Sequence, residues 1–154
     1  MGLDMYLSAK KYLSPYFDAA DGEKIKSINE IFGVDSDDVD DYGVKEVTFR
    51  VAYWRKANAI HQWFVDNVQD GLDECQESHV PREKLQELMA LCESIIAEPN
   101  KGASVLPTAG GFFFGSTKYD EYYLGDIQHT AARIKKILND PVFTNCEFYY
   151  QASW

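Results

Sequence analysis

Hydrophobic residues along the chain follow two periodicities, and each periodicity predicts its own elements. Strict alternation of apolar and polar residues is typical of half-buried strands, and it occurs at residues 3–7, 46–51 and 146–150. Apolar residues spaced three or four apart are typical of amphipathic helices. The helices predicted in this way span residues 23–32, 53–69, 81–98 and 119–139. A short apolar run between glycines, at 112–115, predicts one further buried strand.

These elements favour an α+β fold with a small antiparallel or mixed sheet packed against three or four helices. Strands are few, helices are long, and no strict β-α-β rhythm appears. A length of 154 residues fits one domain, 1–154, and is sufficient to bury a core. Within that domain we expect a flexible acidic loop at 34–43.

The predicted helix at 53–69 is the most informative segment. At 100° per residue, four of its apolar residues share one face: Tyr53, Ala57, Ile60 and Phe64. His61 lies beside that face, so we expect a buried imidazole that is hydrogen-bonded to a neighbour. Trp63 falls almost opposite, on the same outer arc as Arg55 and Lys56. This outer arc is predicted to be available to a partner.

Composition and charge narrow the possible partners and compartments. The net charge is −10 and the isoelectric point is near 4.7, which disfavours direct contact with nucleic acid or anionic membranes. No apolar run approaches the ~20 residues that span a bilayer, and no signal-peptide pattern opens the chain. The three cysteines have no Cys-x-x-Cys spacing, so we expect reduced thiols in a cytoplasmic protein.

The acidic loop supplies five aspartates between residues 35 and 41. It fails the EF-hand pattern because Val39 and Asp40 occupy the positions that should hold a ligand and a glycine. Two interpretations remain. The loop is either a solvated surface segment or a phosphate-mimicking patch, and in the second case Asp37, Asp38 and Asp40 are candidate contacts.

No motif in the chain predicts a cofactor or metal. The glycine-rich segment 110–117 lacks both the lysine of a phosphate loop and the spacing of the dinucleotide fingerprint. Cys75 and His79 resemble half of a zinc site, but a second ligand pair is missing. No catalytic arrangement can be singled out from spacing alone. We therefore expect no bound cofactor, and binding rather than catalysis.

Aromatic residues on polar helix faces form a further group of candidates. Tyr122 points to the polar side of the helix at 119–139, and Tyr119 precedes it by about one turn. Tyrosine and tryptophan on wet faces are typical interface anchors, and they also stack on nucleobases. Packing within the domain or in a homodimer remains the alternative.

Three separated segments resemble a known family. They are MGLDMYL at 1–7, YWRKANAIHQWFV at 53–65, and the stretch 106–123 with GFFFGSTKYDEYY. Together they resemble a family of small, functionally uncharacterised proteins from bacteria, their phages and their prophages. The resemblance implies an accessory protein of a phage or mobile element that acts inside a bacterial cell. It supplies no catalytic residues.

Two functions from different classes follow. The preferred one is a non-enzymatic binding protein, a phage-encoded inhibitor of a host or antiviral-defence protein. Its candidate contacts are Trp63, Tyr122, Arg55, Lys56, Tyr119, Asp37, Asp38 and Asp40.

The alternative is a nucleotide-binding protein, either a sponge or a hydrolase, with a pocket between the 53–69 helix and the 110–123 segment. In this hypothesis Trp54 or Tyr119 stacks on a base, and Arg55 and Lys56 meet phosphate. The remaining candidates in that pocket are Asn58, at the edge of the helix's apolar face, and His61, which would take part in chemistry.

Overall fold

The computed structural model describes residues 2–35 and 42–154. Within these ranges the elements are β1 (Asp4–Tyr12), α1 (Ala20–Phe32), β2 (Glu46–Arg55), α2 (Asn58–Val68), β3 (Ser78–Val80), α3 (Arg82–Ala97), α4 (Gly102–Val105), α5 (Glu121–Asn139) and β4 (Glu147–Ser153). The predicted α+β class is confirmed. The candidate contacts Asp37, Asp38 and Asp40 lie outside the described residues.

The strands form one antiparallel sheet in the order β2-β1-β4-β3. The chain divides into two compact units, Lys10–Phe49 and a larger one comprising Met1–Ala9 and Arg50–Trp154. A single domain over 1–154 stays a prediction. In the smaller unit, α1 ends at Phe32 and is followed by Gly33, whose φ of 69° is the left-handed conformation typical of helix ends.

In that smaller unit one buried carboxylate fixes the start of α1. Asp21 accepts hydrogen bonds from the Ser14 amide at 3.1 Å and from Lys24 Nζ at 2.8 Å. The bond from Lys24 lowers the pKa of Asp21 below its usual value. The ionised carboxylate therefore ties the chain ahead of α1 to the first turn of that helix.

The larger unit contains the main hydrophobic core. Alternation along β1 sends Met5, Leu7 and Ala9 to one face, where each is fully buried. Alternate residues of β4, including Phe148 and Tyr150, are buried in the same core. Further core residues come from α2, α3 and α5 and from β2 and β3, and α3 packs along α5.

The start of the predicted 53–69 helix is wrong. β2 continues through Arg55, and α2 begins only at Asn58. Tyr53 is therefore a strand residue, 42% exposed, whose hydroxyl donates to Asp4. Tyrosine and tryptophan also favour strands, so an apolar pattern that fits a helix did not exclude a strand here.

The prediction that Trp63 lies on an outer face is also wrong, because the residue is only 7% exposed. Its ring contacts Phe64 edge-on at 5.3 Å between centroids. Seven of the eleven residues of α2 are buried, so its buried arc is wide enough to include Trp63, and the exposed face is left to Asp66 and Asn67.

The predicted strand at 112–115 is absent. The segment forms a turn closed by a hydrogen bond from the Phe114 amide to the Gly111 carbonyl, and Phe112 is 95% exposed. β3 was not predicted because three residues are too few to set up an alternation. Among the described residues, no helix is long and apolar enough to cross a membrane.

Candidate functional site

A cavity of about 370 Å³ opens in the larger unit where β2 leads into α2. Three segments contribute to its wall: the junction at 55–60, the loop around 108–118 and the first two turns of α5. The lining residues are Arg55, Lys56, Ala57, Asn58, Ala59, Ile60, Thr108, Gly115, Ser116, Lys118, Asp120, Tyr122, Tyr123, Asp126 and Ile127. This volume lies at the lower end of the range typical of small-molecule sites.

The start of α2 brings unpaired hydrogen-bond donors to the cavity. The helix begins without a side-chain cap, and within the described ranges the amides of Ala59 and Ile60 have no hydrogen-bond partner. Free amides and the helix dipole together attract anions. Both residues line the cavity.

Three cationic side chains reinforce that preference. Arg55, Lys56 and Lys118 all line the cavity, and none of them forms an ion pair with another described residue. Close grouping of unpaired cations produces a local positive potential that can oppose the net charge of the whole chain.

Asn58 fixes the loop that forms the second wall. Its Nδ2 donates to the carbonyls of Phe114 at 3.0 Å and Ser116 at 2.8 Å, and its Oδ1 accepts from the Ala109 amide at 3.1 Å. One side chain at the first position of α2 thereby satisfies three backbone groups of the loop. This loop presents Ser116 and Lys118 to the cavity.

The third wall is the start of α5, and it carries the carboxylates. Asp120 caps the helix by accepting hydrogen bonds from the amides of Tyr122 and Tyr123, so its side chain is already engaged. The backbone carbonyl of Asp126 accepts a hydrogen bond from Thr130 Oγ1 at 2.7 Å, but its carboxylate has no hydrogen bond or ion pair with any described residue. Burial, with a smaller contribution from Asp120, raises the pKa of Asp126 to about 6. Tyr122, one turn earlier, is 76% exposed.

Four of the candidates predicted from sequence meet at this cavity: Arg55, Lys56, Asn58 and Tyr122. The predicted location, between α2 and the 110–123 segment, therefore does contain a cavity. Asn58 holds the wall by three hydrogen bonds that use both of its amide hydrogens, so it has no donor left for a ligand.

His61 is buried away from the cavity. Its Nε2 lies 3.0 Å from Asp73 Oδ2 and its Nδ1 lies 2.7 Å from the Tyr150 hydroxyl. The expectation of a buried, hydrogen-bonded imidazole is confirmed, and the alternative that places His61 in the pocket is wrong. A ring held on both nitrogens inside the core does not reach a ligand there.

Trp54 does not line the cavity either. Its indole N–H donates to Thr130 Oγ1 at 2.8 Å inside the core. Tyr119 lies beside the loop, where its hydroxyl accepts a hydrogen bond from the Thr108 amide at 3.1 Å. Neither ring is therefore placed to stack on a ligand in the cavity.

No three metal-ligating side chains converge anywhere in residues 2–35 and 42–154. Of the two residues of the suspected half-site, His79 instead contacts Glu147 at 2.6 Å. Comparisons with family models, with curated proteins and with solved structures found no match for this chain.

Sequence reasoning missed Lys118 and Asp126. Lys118 follows the glycine-rich segment in a loop, where no periodicity indicates direction. Asp126 had a signal, because it lies four residues after Tyr122 and residues at that spacing share one helix face. A helix carrying an exposed tyrosine and a carboxylate on one face was therefore visible in the sequence.

Proposed function

We propose that this protein binds a nucleotide in the cavity between the β2–α2 junction and α5. The observation that carries the proposal is the grouping of Arg55, Lys56 and Lys118, all free of ion pairs with described residues, around the uncapped start of α2. In a chain of net charge −10, unpaired cations grouped at a helix N-terminus favour an anionic ligand.

The remaining wall favours a nucleotide over a bare anion. Tyr122 offers an exposed aromatic ring, which is suited to stacking on a base. Cations at the junction and an aromatic ring on α5 would engage the two chemically different ends of one molecule.

We propose binding without hydrolysis, as in a sponge protein that sequesters nucleotides. His61, the residue assigned to chemistry from the sequence, is held by Tyr150 and Asp73 outside the cavity. What remains around the cavity is suited to recognition by charge, hydrogen bonds and stacking.

Isothermal titration calorimetry with GTP, ATP and inorganic triphosphate tests the proposal. We expect at least one nucleotide to bind, and Lys118→Ala to weaken its binding by about tenfold, the equivalent of a lost charge-assisted hydrogen bond. Lys135→Ala is the matched control, since it removes the same charge from an exposed position on α5 outside the cavity.

Absence of heat with all three compounds at millimolar concentration would overturn the proposal. Equal weakening by Lys118→Ala and Lys135→Ala would also contradict it, because the effect would then reflect overall charge and not the cavity.

A second candidate is a non-enzymatic inhibitor of a host or antiviral-defence protein, for which the resemblance to phage proteins supplies the cellular context. Exposed Phe112 and Tyr122 favour it, as aromatic residues of this kind anchor interfaces. Trp63, a contact predicted from the sequence, is buried and does not support it.

Phe112 separates the two candidates because it does not line the cavity. If a host protein is the partner, Phe112→Ser should abolish its capture from bacterial lysate and leave triphosphate binding unchanged. Capture that survives both Phe112→Ser and Tyr122→Ala would count against this candidate.

A further inference from the structure

Asp126 is an unusual group to find in a cavity suited to anions. It is partly buried, it lines the cavity, and its carboxylate contacts no hydrogen-bond donor among the described residues. A carboxylate is an acceptor with two oxygens. An unpaired acceptor in this position is complementary to a ligand that brings adjacent N–H donors.

We propose that the ligand of the cavity is a guanine nucleotide, with its base recognised by Asp126 and stacked on Tyr122. This inference rests on the proposed nucleotide-binding function. It adds the identity of the base, which the cations around the start of α2 do not determine.

Guanine is selected because its hydrogen-bonding edge carries two neighbouring donors, N1–H and the N2 amino group. Both can donate to one carboxylate in a paired arrangement, which is stronger than a single neutral hydrogen bond. Adenine and cytosine present one donor beside a ring-nitrogen acceptor, and that acceptor would face a carboxylate oxygen. Hypoxanthine keeps N1–H but lacks the amino group.

Tyr122 is placed to hold the base against that carboxylate. Residues four apart on a helix are neighbours, with Cβ atoms about 5–6 Å apart, and both side chains line the same cavity. Tyr122 contributes stacking to any base, whereas Asp126 distinguishes among bases.

The environment of Asp126 supports the same role. Partial burial and the nearby Asp120 raise the pKa of Asp126 to about 6, so the ionised form at neutral pH is poorly solvated. Donors from a bound base would replace the missing solvation. Arg55, Lys56 and Lys118 are the cations that share the cavity, and none forms an ion pair with Asp126.

The test compares triphosphates that differ only in the base, by calorimetry at about pH 8, where Asp126 is ionised. We expect GTP to bind at least about tenfold more tightly than ATP, since a site that hydrogen-bonds its ligand rejects analogues lacking the donors. ITP should bind more weakly than GTP. The affinity for inorganic triphosphate should measure the part of nucleotide binding that does not depend on the base.

Asp126→Asn provides the specificity switch. An amide pairs one acceptor and one donor, which matches the N1–H and C2 carbonyl of xanthine. The variant should therefore prefer XTP to GTP. Glu121→Gln, an exposed carboxylate outside the cavity on the same helix, is the control for the lost charge, and it should keep the preference for GTP.

Equal affinities of the wild-type protein for GTP, ATP and ITP would overturn this inference and leave nucleotide binding intact. An unchanged GTP preference in Asp126→Asn would overturn it as well. If inorganic triphosphate and every nucleotide fail to bind, the proposed function itself is wrong, so the two failures are distinguishable.

Discussion

Lys56 and Gly115 pack against each other with both backbones in the left-handed region. Their φ angles are 58° and 84°, and a Cβ on Gly115 would lie only 3.1 Å from the Cβ of Lys56. The absence of a side chain at Gly115 therefore lets the loop approach the β2–α2 junction. This close approach places Ser116 and Lys118 at the cavity.

Gly115→Ala should destabilise the protein by about 1–3 kcal/mol. The new side chain incurs the penalty of a left-handed conformation, about 1–2 kcal/mol, together with the contact against Lys56. Urea unfolding measures the change, and triphosphate affinity should fall with it.

Gly110→Ala is the matched control in the same segment, because its Cβ would meet nothing within 4 Å and its φ is not left-handed. It should change the unfolding free energy by less than about 0.5 kcal/mol. Equal effects of the two substitutions would contradict a specific contact at Gly115.

Asn58→Ala should cost about 2–4 kcal/mol, because it removes three hydrogen bonds to backbone groups of the loop and leaves partly buried partners unsatisfied. Urea unfolding is again the measurement. Asn67→Ala, which loses one bond to the Trp63 carbonyl at an exposed site of α2, should cost below about 0.5 kcal/mol. Similar losses at the two positions would show that Asn58 has no special role in holding the loop.

Trp63→Ala should destabilise the protein by about 3–5 kcal/mol, the range typical of deleting a buried aromatic side chain. The residue lies in the core of the larger unit. Tyr122→Ala, at an exposed position, should leave thermal stability nearly unchanged. If Trp63→Ala unfolds no more easily than Tyr122→Ala, the burial of Trp63 is wrong.

Trp63 and Tyr122 show which side-chain positions could be predicted from the sequence and which could not. Tyr122 was placed correctly because α5 has one wet and one buried face, and periodicity distinguishes such faces. Trp63 was misplaced because most of α2 is buried, seven residues of eleven, so the spacing of its apolar residues did not mark the edge of its exposed face.

The same distinction applies to the cavity. Arg55, Lys56 and Asn58 were predicted as candidates because they are polar positions at the margin of an apolar pattern, although that pattern was assigned to a helix and the structure places them where β2 ends and α2 begins. Lys118 reaches the cavity only through the loop that Asn58 holds and Gly115 allows to approach. Long-range contacts of this kind depend on the folded arrangement, and local spacing does not encode them.

Asp126→Asn should raise the stability of the ligand-free protein at neutral pH. The folded pKa is about 6 against 3.8 for an ordinary aspartate, and a shift of that size corresponds to about 3 kcal/mol at most. Partial exposure reduces this, so we expect about 1–2 kcal/mol. The amide is always neutral and therefore avoids the unfavourable burial of a charge.

The pH dependence fixes the sign of this effect. A carboxyl whose folded pKa is raised favours the folded state fully below pH 3.8, and that contribution disappears as the pH rises through about 6. The advantage of Asp126→Asn should thus be largest above about pH 7 and vanish near pH 4. The other charged groups that line the cavity are Arg55, Lys56, Lys118 and Asp120. Glu121→Gln is measured in parallel as the control for the loss of a negative charge elsewhere on α5. A pH-independent difference would contradict the raised pKa.

Tyr150→Phe should cost about 1–3 kcal/mol, because it leaves a fully buried imidazole nitrogen without a partner. Burial raises the pKa of Tyr150 well above its usual value, so its hydroxyl keeps its proton and can donate to Nδ1 of His61. The Nε2–H of His61 can then donate to Asp73, whose second oxygen accepts from the Trp154 indole N–H at 3.1 Å. Tyr122→Phe, at an exposed hydroxyl, should be neutral in urea unfolding. Unchanged triphosphate affinity in Tyr150→Phe would place this network outside the binding site, whereas a loss of affinity without a loss of stability would assign His61 a part in ligand binding.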